Sequence, residues 1–547
     1  MNLLIINDKK PGIMNITLIS PYEHTESYGL RMISACLKKS GYKTKLIFMP
    51  KRLGELYGKY DLDRVFDSAK DSDLVGISLS TNFFERTVQI TERLKKELNV
   101  PIIWGGIHPT VKPEECLEYA DLVCIGEGEG AIVELAEKME KGEDYSKVKN
   151  IGLKDKKGNI ILNPLRPLIQ DLDSLPFQDY DLKSQYIIFK GETYRMDEAF
   201  SKDFFGYLNP HGYPIFLTRG CPFSFTYCCN NYFNRFYSGH DPFRKRDVSL
   251  VIKELQEAKE RTPSIKIIFF YDDNFFGLSE NEIKYFSENY KKKINLPFVV
   301  VGTNPLAVTR EKIASIAEAG LFFLKMGVQT GNERTKRLFK RTYPNSQVEK
   351  AAKIIAEFKD KIPLLTYEFI IDNPWENNND IIENLQFLNK FPTMCHFDFF
   401  SLTFYPGTEL YDMAKKEGII KDEFKEIYQK NYFLPQNNYF NKLFFLIDLF
   451  SQNGKKIPSR IFSLLINKRF IRYKLNWPLY FFLYIFIKIW IEIDFKEKIY
   501  THGIINRRGT LRSLIHLTIL TLRTVNNKEW FKIRKYIRRR ILKINTL

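Results

Sequence analysis

Short apolar runs alternate with helical patterns twice along this chain, and that alternation restricts its fold more than any other feature. Between residues 14 and 140 the apolar runs are NITLIS, TKLIF, LVGISLS, PIIWGG and LVCIGEG. The segments between them, such as GLRMISACLKKSG, repeat apolar residues every three or four positions, as amphipathic helices do. Strands that alternate with helices predict a parallel α/β sheet.

The carboxyl ends of these predicted strands are rich in small residues. Ligands of parallel sheets bind beyond those ends, and small residues let the backbone approach a large flat ligand. The residues expected against such a ligand are Ser20, Tyr22, Ser78, Thr81, Gly105, Gly106, His108, Gly126 and Glu127. For His108 a loop histidine that caps the next helix is favoured over a metal ligand.

A second series of strands and helices begins near residue 211, after a segment (141–210) interpreted as a linker with a small substructure. Its strand candidates are PIFLTRG, IKIIFFYDD, FVVVGTN, LFFLKMGVQTG, LLTYEFIIDNP and HFDFFSLTFYPG. Repeated strand–helix units over 211–425 predict a partial (β/α)6 barrel, with its chemistry at the carboxyl ends of the strands.

The first domain resembles a known family in its order of motifs. The segments ISP, GLRMISACLKKSGY, DLVGISLST, PIIWGGIHPTVKPEE and ADLVCIGEGE are similar to the cobalamin-binding domain at the front of B12-dependent radical SAM proteins. The resemblance implies a Rossmann-like domain over 14–140 with cobalamin as its ligand. The D-x-H-x-x-G motif that supplies an axial histidine in other cobalamin proteins is absent, as is common in the radical SAM branch.

The loop TRGCPFSFTYCCNNYF resembles the radical SAM cluster loop, in which cysteines spaced C-x3-C-x2-C ligate a [4Fe-4S] cluster. Three thiolates hold three irons, and the fourth iron stays open for the amino and carboxyl groups of S-adenosylmethionine. Cys221 and Cys228 match the first and third positions. Phe225 occupies the middle position, and its side chain cannot ligate iron.

Phe225 leaves three interpretations open. In the first, the cluster is lost and the protein is a catalytically silent binder of cobalamin or S-adenosylmethionine. In the second, Cys229 substitutes as a ligand, although adjacent cysteines point in different directions. In the third, Phe225 is a recent or erroneous change, since one base converts a cysteine codon to a phenylalanine codon. The ordinary interpretation of Cys229 alone is a small buried residue.

Other segments of 211–425 resemble the same family in the expected order. IIFFYDDNF matches the acidic loop near S-adenosylmethionine, and GVQTGNERT resembles the fourth-strand segment GIESGSE. By this resemblance, the residues near S-adenosylmethionine are Asp272, Asp273, Gln329, Thr330 and Glu333. FIIDNPWE resembles FIIGLPGE, with Asp372 and Trp375 in place of two glycines.

The resemblance implies a cobalamin-dependent radical SAM enzyme that acts on an unactivated carbon, with methyl transfer as the leading reaction. Rearrangement, cyclisation and oxygen insertion are other reactions of the family. The implied cofactors are a [4Fe-4S] cluster, S-adenosylmethionine and cobalamin, and an electron donor such as ferredoxin or flavodoxin would serve the cluster. The substrate is a small molecule or a lipid, and no catalytic residue is assigned.

Positive charge is concentrated in the last fifth of the chain. The whole chain carries +18, and residues 441–547 alone hold 23 Lys+Arg and 5 Asp+Glu. The longest apolar stretch there, 477–491, is shorter than the roughly 20 residues that span a bilayer. Apolar and aromatic clusters beside basic ones predict that residues 441–547, within a mainly helical C-terminal region (426–547), lie on a membrane surface. The alternative is a helical cap over the barrel, and nucleic-acid binding is not expected.

The cysteine content and the N-terminus predict an intracellular protein. Seven cysteines in 547 residues are too few and too irregular for a secreted disulfide scaffold. Residues 1–13 have no basic n-region and no cleavage site, and they are interpreted as an extension before a first strand that starts near Met14. We expect the cytoplasm, with the tail at the inner face of the membrane.

Overall fold

The computed structural model describes residues 13–197 and 212–501, with side chains described as far as residue 488. The described chain forms two compact units. The first unit draws on Met1–Gly302, Glu318–Leu321 and Thr403–Asn431, and the second draws on Thr303–Ala317, Phe322–Leu402 and Tyr432–Leu547. The predicted extension before residue 13 and the basic segments beyond residue 501 lie outside the described residues.

The first unit contains the parallel sheet predicted for residues 14–140. Its strands are β1 (Asn15–Ser20), β2 (Lys43–Phe48), β3 (Leu74–Ser78), β4 (Ile102–Gly105), β5 (Leu122–Cys124), β6 (Ile151–Lys154), β7 (Ile160–Leu162), β8 (Gln185–Phe189) and β9 (Glu192–Arg195). Their order is β7-β6-β5-β4-β3-β1-β2-β8-β9. Strands β1 to β5 pair in parallel, which confirms the Rossmann-like fold.

Strands β6 to β9 extend this sheet at both edges and come from the segment interpreted as a linker. Both outer pairings, β6 with β7 and β8 with β9, are antiparallel. The helices of this domain are α1 (Tyr28–Lys39), α2 (Lys59–Ala69), α3 (Phe84–Lys95), α4 (Ile107–Val111), α5 (Pro113–Cys116) and α6 (Glu129–Glu140). Strands covered on both faces require continuous apolar runs, and the central strands are buried over nearly their whole length.

The second series of strands also forms as the apolar runs predict. In the first unit β10 (Gly212–Ile215), β13 (Ile267–Phe270) and β14 (Phe298–Val300) pair in parallel. A short antiparallel pair, β11 (Thr218–Arg219) with β12 (Arg244–Lys245), flanks the predicted cluster loop. In the second unit β15 (Leu321–Gln329), β16 (Leu364–Ile371) and β17 (His396–Ser401) are parallel. These six parallel strands, separated by helices, confirm the (β/α)6 architecture.

The helices of this half of the chain cover the strands and then continue as a helical C-terminal region. They are α7 (Cys229–Phe236), α8 (Val248–Arg261), α9 (Glu280–Lys293), α10 (Arg310–Glu318), α11 (Glu333–Leu338), α12 (Asn345–Ala356), α13 (Asn378–Leu388), α14 (Glu409–Lys416), α15 (Tyr439–Gln452), α16 (Ser459–Leu465), α17 (Lys468–Arg472) and α18 (Asn476–Thr501). Within the described ranges, none of the helices is both long enough and apolar enough to cross a membrane.

Candidate cofactor-binding site

Polar side chains meet where β1 and β3 end. Ser20 is the last residue of β1, and its hydroxyl lies 2.5 Å from the Oγ of Ser27. Burial raises the pKa of Tyr22 to about 12, while hydrogen bonds with Ser78 and Ser80 act in the opposite direction. The structure therefore brings together Tyr22 and Ser78, two residues that the sequence assigned to one ligand site.

Two glycines at the ends of β4 and β5 adopt conformations that other residues rarely tolerate. Gly106 has a φ of +102°, and a Cβ there would lie 2.6 Å from the carbonyl oxygen of Leu79. Gly126 has a φ of +76°, and its Cβ would lie 1.8 Å from the Tyr237 hydroxyl. Gly105 is half-buried and Gly106 is exposed. Contacts with Leu79 and Tyr237 therefore require glycine at these two positions, and the exposed backbone of Gly106 lies at the edge where the sequence predicts cobalamin.

His108 lies in the first turn of α4 and is fully buried. Its Nδ1 is 3.1 Å from the Oγ1 of Thr81, and the rings of Phe84 and Tyr428 have centroids 5.1 Å and 5.3 Å away. Burial, assisted by Lys112, lowers the pKa of His108 to about 3. The side chain is thus a neutral histidine in an aromatic core, with its Nε2 3.8 Å from Glu115 Oε2 and without a hydrogen bond among the described residues. It lies inside α4 and does not cap that helix as predicted, but its packing favours a structural role over metal ligation.

Phe225 is held by neighbouring aromatic rings in the cluster loop. Its ring stacks on Phe223 and on Tyr227, with centroid distances of 5.5 Å and 5.7 Å. Its carbonyl oxygen accepts a hydrogen bond of 3.0 Å from the backbone N–H of Cys228. Asn234 of α7 donates to the carbonyl oxygen of Cys221 at 3.1 Å. The loop therefore folds back on itself through stacked rings and backbone hydrogen bonds.

The three thiols of this loop differ in exposure and in acidity. Cys221 is buried, Cys228 is half-buried and Cys229 is exposed, so Cys229 is not the buried residue of its ordinary interpretation. Burial raises the pKa of Cys221 to about 12. A hydrogen bond between the Cys228 and Cys229 thiols lowers the pKa of the first and raises that of the second.

These thiols do not form a ready three-thiolate ligand set. In the part of the chain that the structure describes, no three His, Cys, Asp or Glu side chains are grouped so that they could hold a metal ion. Cys228 and Cys229 interact with one another, and Phe225 lies at the position where the resemblance predicts a cysteine. The described residues therefore place three thiols in this loop without grouping them as ligands of one metal ion.

Asp272 and Asp273 follow β13 and face different environments. Asp272 is buried, and its Oδ1 accepts hydrogen bonds from the Leu217 N–H at 3.0 Å and the Thr218 Oγ1 at 2.7 Å. Burial outweighs these bonds and raises the pKa of Asp272 to about 7. Asp273 is exposed, and its side chain hydrogen-bonds with Asn230 of α7. Both carboxylates thus stand beside the cluster loop.

An ion network joins the GEGE loop of the first domain to the strand pair that flanks the cluster loop. The Nη1 of Arg219 lies 2.7 Å from Glu129 Oε1 and 3.4 Å from Glu127 Oε1. Arg244 Nη1 lies 2.8 Å from the same Glu127 oxygen. The other Glu127 oxygen accepts a hydrogen bond from the Ile169 N–H at 2.8 Å. Glu127 was predicted as a site residue from the sequence. Arg219 and Arg244 were not, because no local sequence pattern indicates that they pair with a distant glutamate.

The residues predicted near S-adenosylmethionine in the second unit cluster at the end of β15. Gln329 has a φ of +70°, and its Oε1 is buried without a hydrogen-bond partner among the described residues. Thr330 is buried, and its hydroxyl accepts a bond of 3.1 Å from the Asn332 N–H. Glu333 begins α11, is half exposed, and lies 3.0 Å from the Nζ of Lys336.

Asp372 occupies a position where the resembling segment has glycine. Its φ is +61°, a conformation that glycine adopts without strain and that aspartate tolerates better than most residues. The carboxylate accepts hydrogen bonds from the Asn441 side chain at 2.7 Å and the Gln436 N–H at 2.9 Å. These bonds explain how the loop keeps the glycine-type backbone with a larger residue.

Comparison with known protein families matches two parts of the chain. Residues 14–136 match the B12 binding domain, and residues 215–388 match the Radical SAM superfamily. Proteins of the first kind hold cobalamin, and those of the second hold S-adenosylmethionine at a [4Fe-4S] cluster. The cofactors predicted from the sequence are therefore those of the two matched domains.

Several curated proteins are similar over most of their length. An uncharacterized methyltransferase of Pyrococcus horikoshii is 27% identical over 63% of this chain and 70% of the relative. Bacteriochlorophyllide d C-8(2)-methyltransferase of Chlorobaculum tepidum is 23% identical over 69% of this chain and 75% of that enzyme. Cytidylyl-2-hydroxyethylphosphonate methyltransferase of Streptomyces wedmorensis is 24% identical over 75% and 81%.

Solved structures share the fold. The radical S-adenosylmethionine methyltransferase TsrM from Kitasatospora setae gives a TM-score of 0.57 at 16% identity, covering 74% of this chain and 76% of TsrM. The cobalamin-dependent S-adenosylmethionine radical enzyme OxsB gives 0.55 at 18% identity, covering 77% and 57%. At these identities the likeness establishes the fold alone.

Proposed function

We propose that this chain, a radical SAM superfamily protein with an N-terminal B12-binding domain, is a cobalamin-dependent methyltransferase acting on carbon in a small organic molecule. The observation that carries the proposal is the ion network of Arg219 and Arg244 with Glu127 and Glu129. It ties the loop after the last parallel strand of the B12-binding domain to the strand pair that flanks the cluster loop. The curated relatives named as methyltransferases support the reaction class.

The chain's own residues have distinct tasks in this proposal. Ser78, Gly105 and Gly106 form the surface against which cobalamin lies, because small side chains leave the backbone accessible. Ser20 is fully buried and supports the end of β1 through its contact with Ser27. Cobalamin supplies a methyl group to the substrate when bound. Arg219 positions the strand before Cys221 by holding two carboxylates of the other domain. The carboxyl ends of the strands in the (β/α) domain bind the substrate and exclude water.

A second candidate function is a catalytically silent binder of cobalamin or S-adenosylmethionine. The placement of Phe225 favours it, since its ring stacks where a third thiolate belongs and the Cys229 thiol is engaged with Cys228. Such a protein would keep the cobalamin surface and would never assemble a cluster. The two candidates therefore differ in one measurable property, which is iron–sulfur incorporation.

Anaerobic reconstitution of the full chain with iron and sulfide separates the two candidates. The methyltransferase proposal expects the absorption and electron paramagnetic resonance of a [4Fe-4S] cluster in the native chain, and loss of that signal in Cys229→Ser. Restoration in the double variant Phe225→Cys with Cys229→Ser would identify Cys229 as the substitute ligand. A cluster that forms only after Phe225→Cys would instead support the silent binder.

Transfer of label tests the reaction without knowledge of the substrate. The reconstituted chain is incubated with cobalamin, a reductant and S-adenosylmethionine labelled in its methyl group. The proposal expects labelled methyl on cobalamin and release of S-adenosylhomocysteine. If the cluster is present and cobalamin bound but no label moves, the methyltransferase proposal is wrong.

We also propose that the C-terminal helices attach the protein to an anionic membrane surface. On α18 large apolar side chains are exposed, with Phe482 at 66% and Ile485 at 55%, and basic residues of α17 lie earlier in the same tail. Each Lys or Arg near an anionic surface adds about 1 kcal/mol. Sedimentation with phosphatidylserine vesicles should pellet the full chain more than a chain ending at residue 475, which keeps α15 on the sheet, and equal pelleting would disprove attachment. A lipid substrate is proposed only together with this attachment.

A further inference from the structure

Three consecutive strands of the second unit carry polar side chains on one face. Tyr367, Phe369 and Phe397 lie within ring contact of Phe391, which follows α13, and Phe399 contacts Phe444 of α15. Those rings therefore point toward the helices. Because strand side chains alternate, Thr366, Glu368, His396 and Asp398 point to the opposite face, the one turned away from the helices.

The register of the strands sets these polar residues in two adjacent rows. Lys325 of β15 pairs with Thr366 of β16, which pairs with His396 of β17. The next row on the same face consists of Gly327, Glu368 and Asp398. Paired residues of parallel strands share a face, so the ammonium, the two carboxylates, the hydroxyl and the imidazole converge.

Lys325 is held by both carboxylates. Its Nζ lies 2.7 Å from Asp398 Oδ2 and 3.3 Å from Glu368 Oε1, and the three side chains are between 12% and 21% exposed. One ammonium faces two carboxyl groups. Burial raises the pKa of Glu368, Lys325 lowers it and Asp398 raises it, and the net shift is upward, so a further cation beside the two carboxyl groups would favour the ionised form of Glu368.

Two buried acceptors on the same face have no partner. Thr366 is 1% exposed, and its Oγ1 makes no hydrogen bond with any described residue. The Nδ1 of His396, in the same row, is likewise buried and without a partner among those residues. Buried hydroxyls and imidazoles are normally hydrogen-bonded, and a ligand that donates N–H groups would satisfy both. Phe400, whose ring centroid lies 5.9 Å from Lys325 Nζ, adds an aromatic surface that favours cations.

We propose that this face, formed by Lys325, Thr366, Glu368, His396 and Asp398, binds the positively charged amino group of the protein's small-molecule substrate. The identification of the ligand as the substrate rests on the proposed function. The amine site itself rests on the contacts and the strand register described above. The amine donates to the carboxylates and to the Thr366 hydroxyl, while the rest of the substrate extends along the strands.

The test measures ligand binding by the full chain without any cofactor. Saturation-transfer NMR and calorimetry compare n-butylamine, n-butanol and butyrate, three probes with the same alkyl chain. We expect butylamine to bind about tenfold more tightly than either other probe, because only it carries the complementary charge. Equal binding of butylamine and butanol, or tighter binding of butyrate, would overturn the proposal.

Variants locate the site. Glu368→Gln keeps the shape and removes one charge, and it should weaken butylamine binding about fivefold or more while butanol is unaffected. The matched control is Glu357→Gln, an exposed glutamate of the same unit that pairs with Arg310 at the surface. Unchanged butylamine affinity in a folded Glu368→Gln would refute the site. If that variant does not fold, Thr366→Val and the three-probe comparison on the native chain decide.

The outcome is separable from that of the proposed function. Butylamine binding with no methyl transfer under any condition would overturn the methyltransferase and leave the amine site standing. Methyl transfer to cobalamin with no preference for butylamine would leave the enzyme standing and remove the amine site.

Discussion

Arg219 and Glu129 form an ion pair across two domains of the first unit, with 2.7 Å between Nη1 and Oε1 and side chains only 17% and 9% exposed. Glu129 begins α6 in the B12-binding domain. Arg219 lies two residues before Cys221. A largely buried pair of this kind holds the start of α6 and the strand before Cys221 at a fixed distance. Separation of the two side chains would leave each charge unpaired in a low-dielectric environment.

Replacement of Arg219 should therefore destabilise the first unit. Arg219→Gln leaves Glu129 and Glu127 with one fewer cation, and we expect a loss of about 3 kcal/mol. Arg219→Lys keeps one contact and should lose less. The control is Arg261→Gln, whose side chain is 76% exposed and pairs with Glu257, and which should cost at most about 0.5 kcal/mol. Thermal unfolding measures the difference, and equal losses in both glutamine variants would contradict the spacer role.

Gly106 should be intolerant of substitution. Gly106→Ala places a Cβ 2.6 Å from the Leu79 carbonyl oxygen in a backbone with positive φ, so both strain and a clash oppose it. Gly142→Ala is the matched control, because its φ is +66° and nothing lies within 4 Å of the added Cβ. The control should lose about 1–2 kcal/mol from strain alone.

Cobalamin uptake distinguishes the two glycines further. Gly106→Ala should bind less cobalamin, as measured by visible absorption after gel filtration, whereas Gly142→Ala should bind as much as the native chain. A Gly106→Ala variant with native stability and native uptake would show that the backbone at the end of β4 does not approach the ligand.

His108 should not coordinate the cobalt of bound cobalamin. The ring is fully buried between Phe84 and Tyr428, and its Nδ1 is engaged with Thr81. Electron paramagnetic resonance of the bound cobalt(II) form should therefore show no histidine nitrogen coupling. His108→Asn should leave that spectrum unchanged, even if stability falls. A spectrum that changes on this substitution would place the imidazole on the metal.

Local patterns predicted the elements of the fold but not their long-range pairings. The apolar runs that end at Ser20, Ser78 and Gly105 became strands because buried parallel strands need continuous apolar sequence. The pairing of Glu127 with Arg219 and Arg244 joins residues about a hundred positions apart, and no local signal specifies such a partner. The edge strands within 141–197 were missed because strands this short show little periodicity.

For the polar face of the second unit, too, the sequence shows the individual residues but not their arrangement. A single charged residue inside an apolar run, such as Lys325 in LFFLKMGVQ or Glu368 in LLTYEFII, is visible in the sequence. That these residues share one face depends on the strand register, which the sequence alone does not determine. In the cluster loop the sequence spacing alone drew attention to Phe225. The hydrogen bond between the Cys228 and Cys229 thiols was apparent only from the structure.

Asp272 should make the stability of the first unit fall as pH rises. Folding raises its pKa from 3.8 to about 7, so the folded chain retains a proton that the unfolded chain has released. Its stabilising contribution is complete below about pH 4 and is lost as pH rises through about 7. A pKa shift of this size would change the free energy of unfolding by at most about 4 kcal/mol between acid and alkaline pH.

Asp272→Asn tests this pH dependence directly. The variant keeps an oxygen that accepts from Leu217 and Thr218 but cannot ionise, so its stability should vary less between acid and neutral pH. It should unfold at a higher temperature than the native chain above neutral pH, and at an equal or lower one in acid. Burial raises the pKa of Asp273 as well, so Asp273→Asn should also reduce the slope and is measured as a separate variant. Parallel pH curves for native chain and Asp272→Asn would show that the buried carboxyl does not titrate in this range.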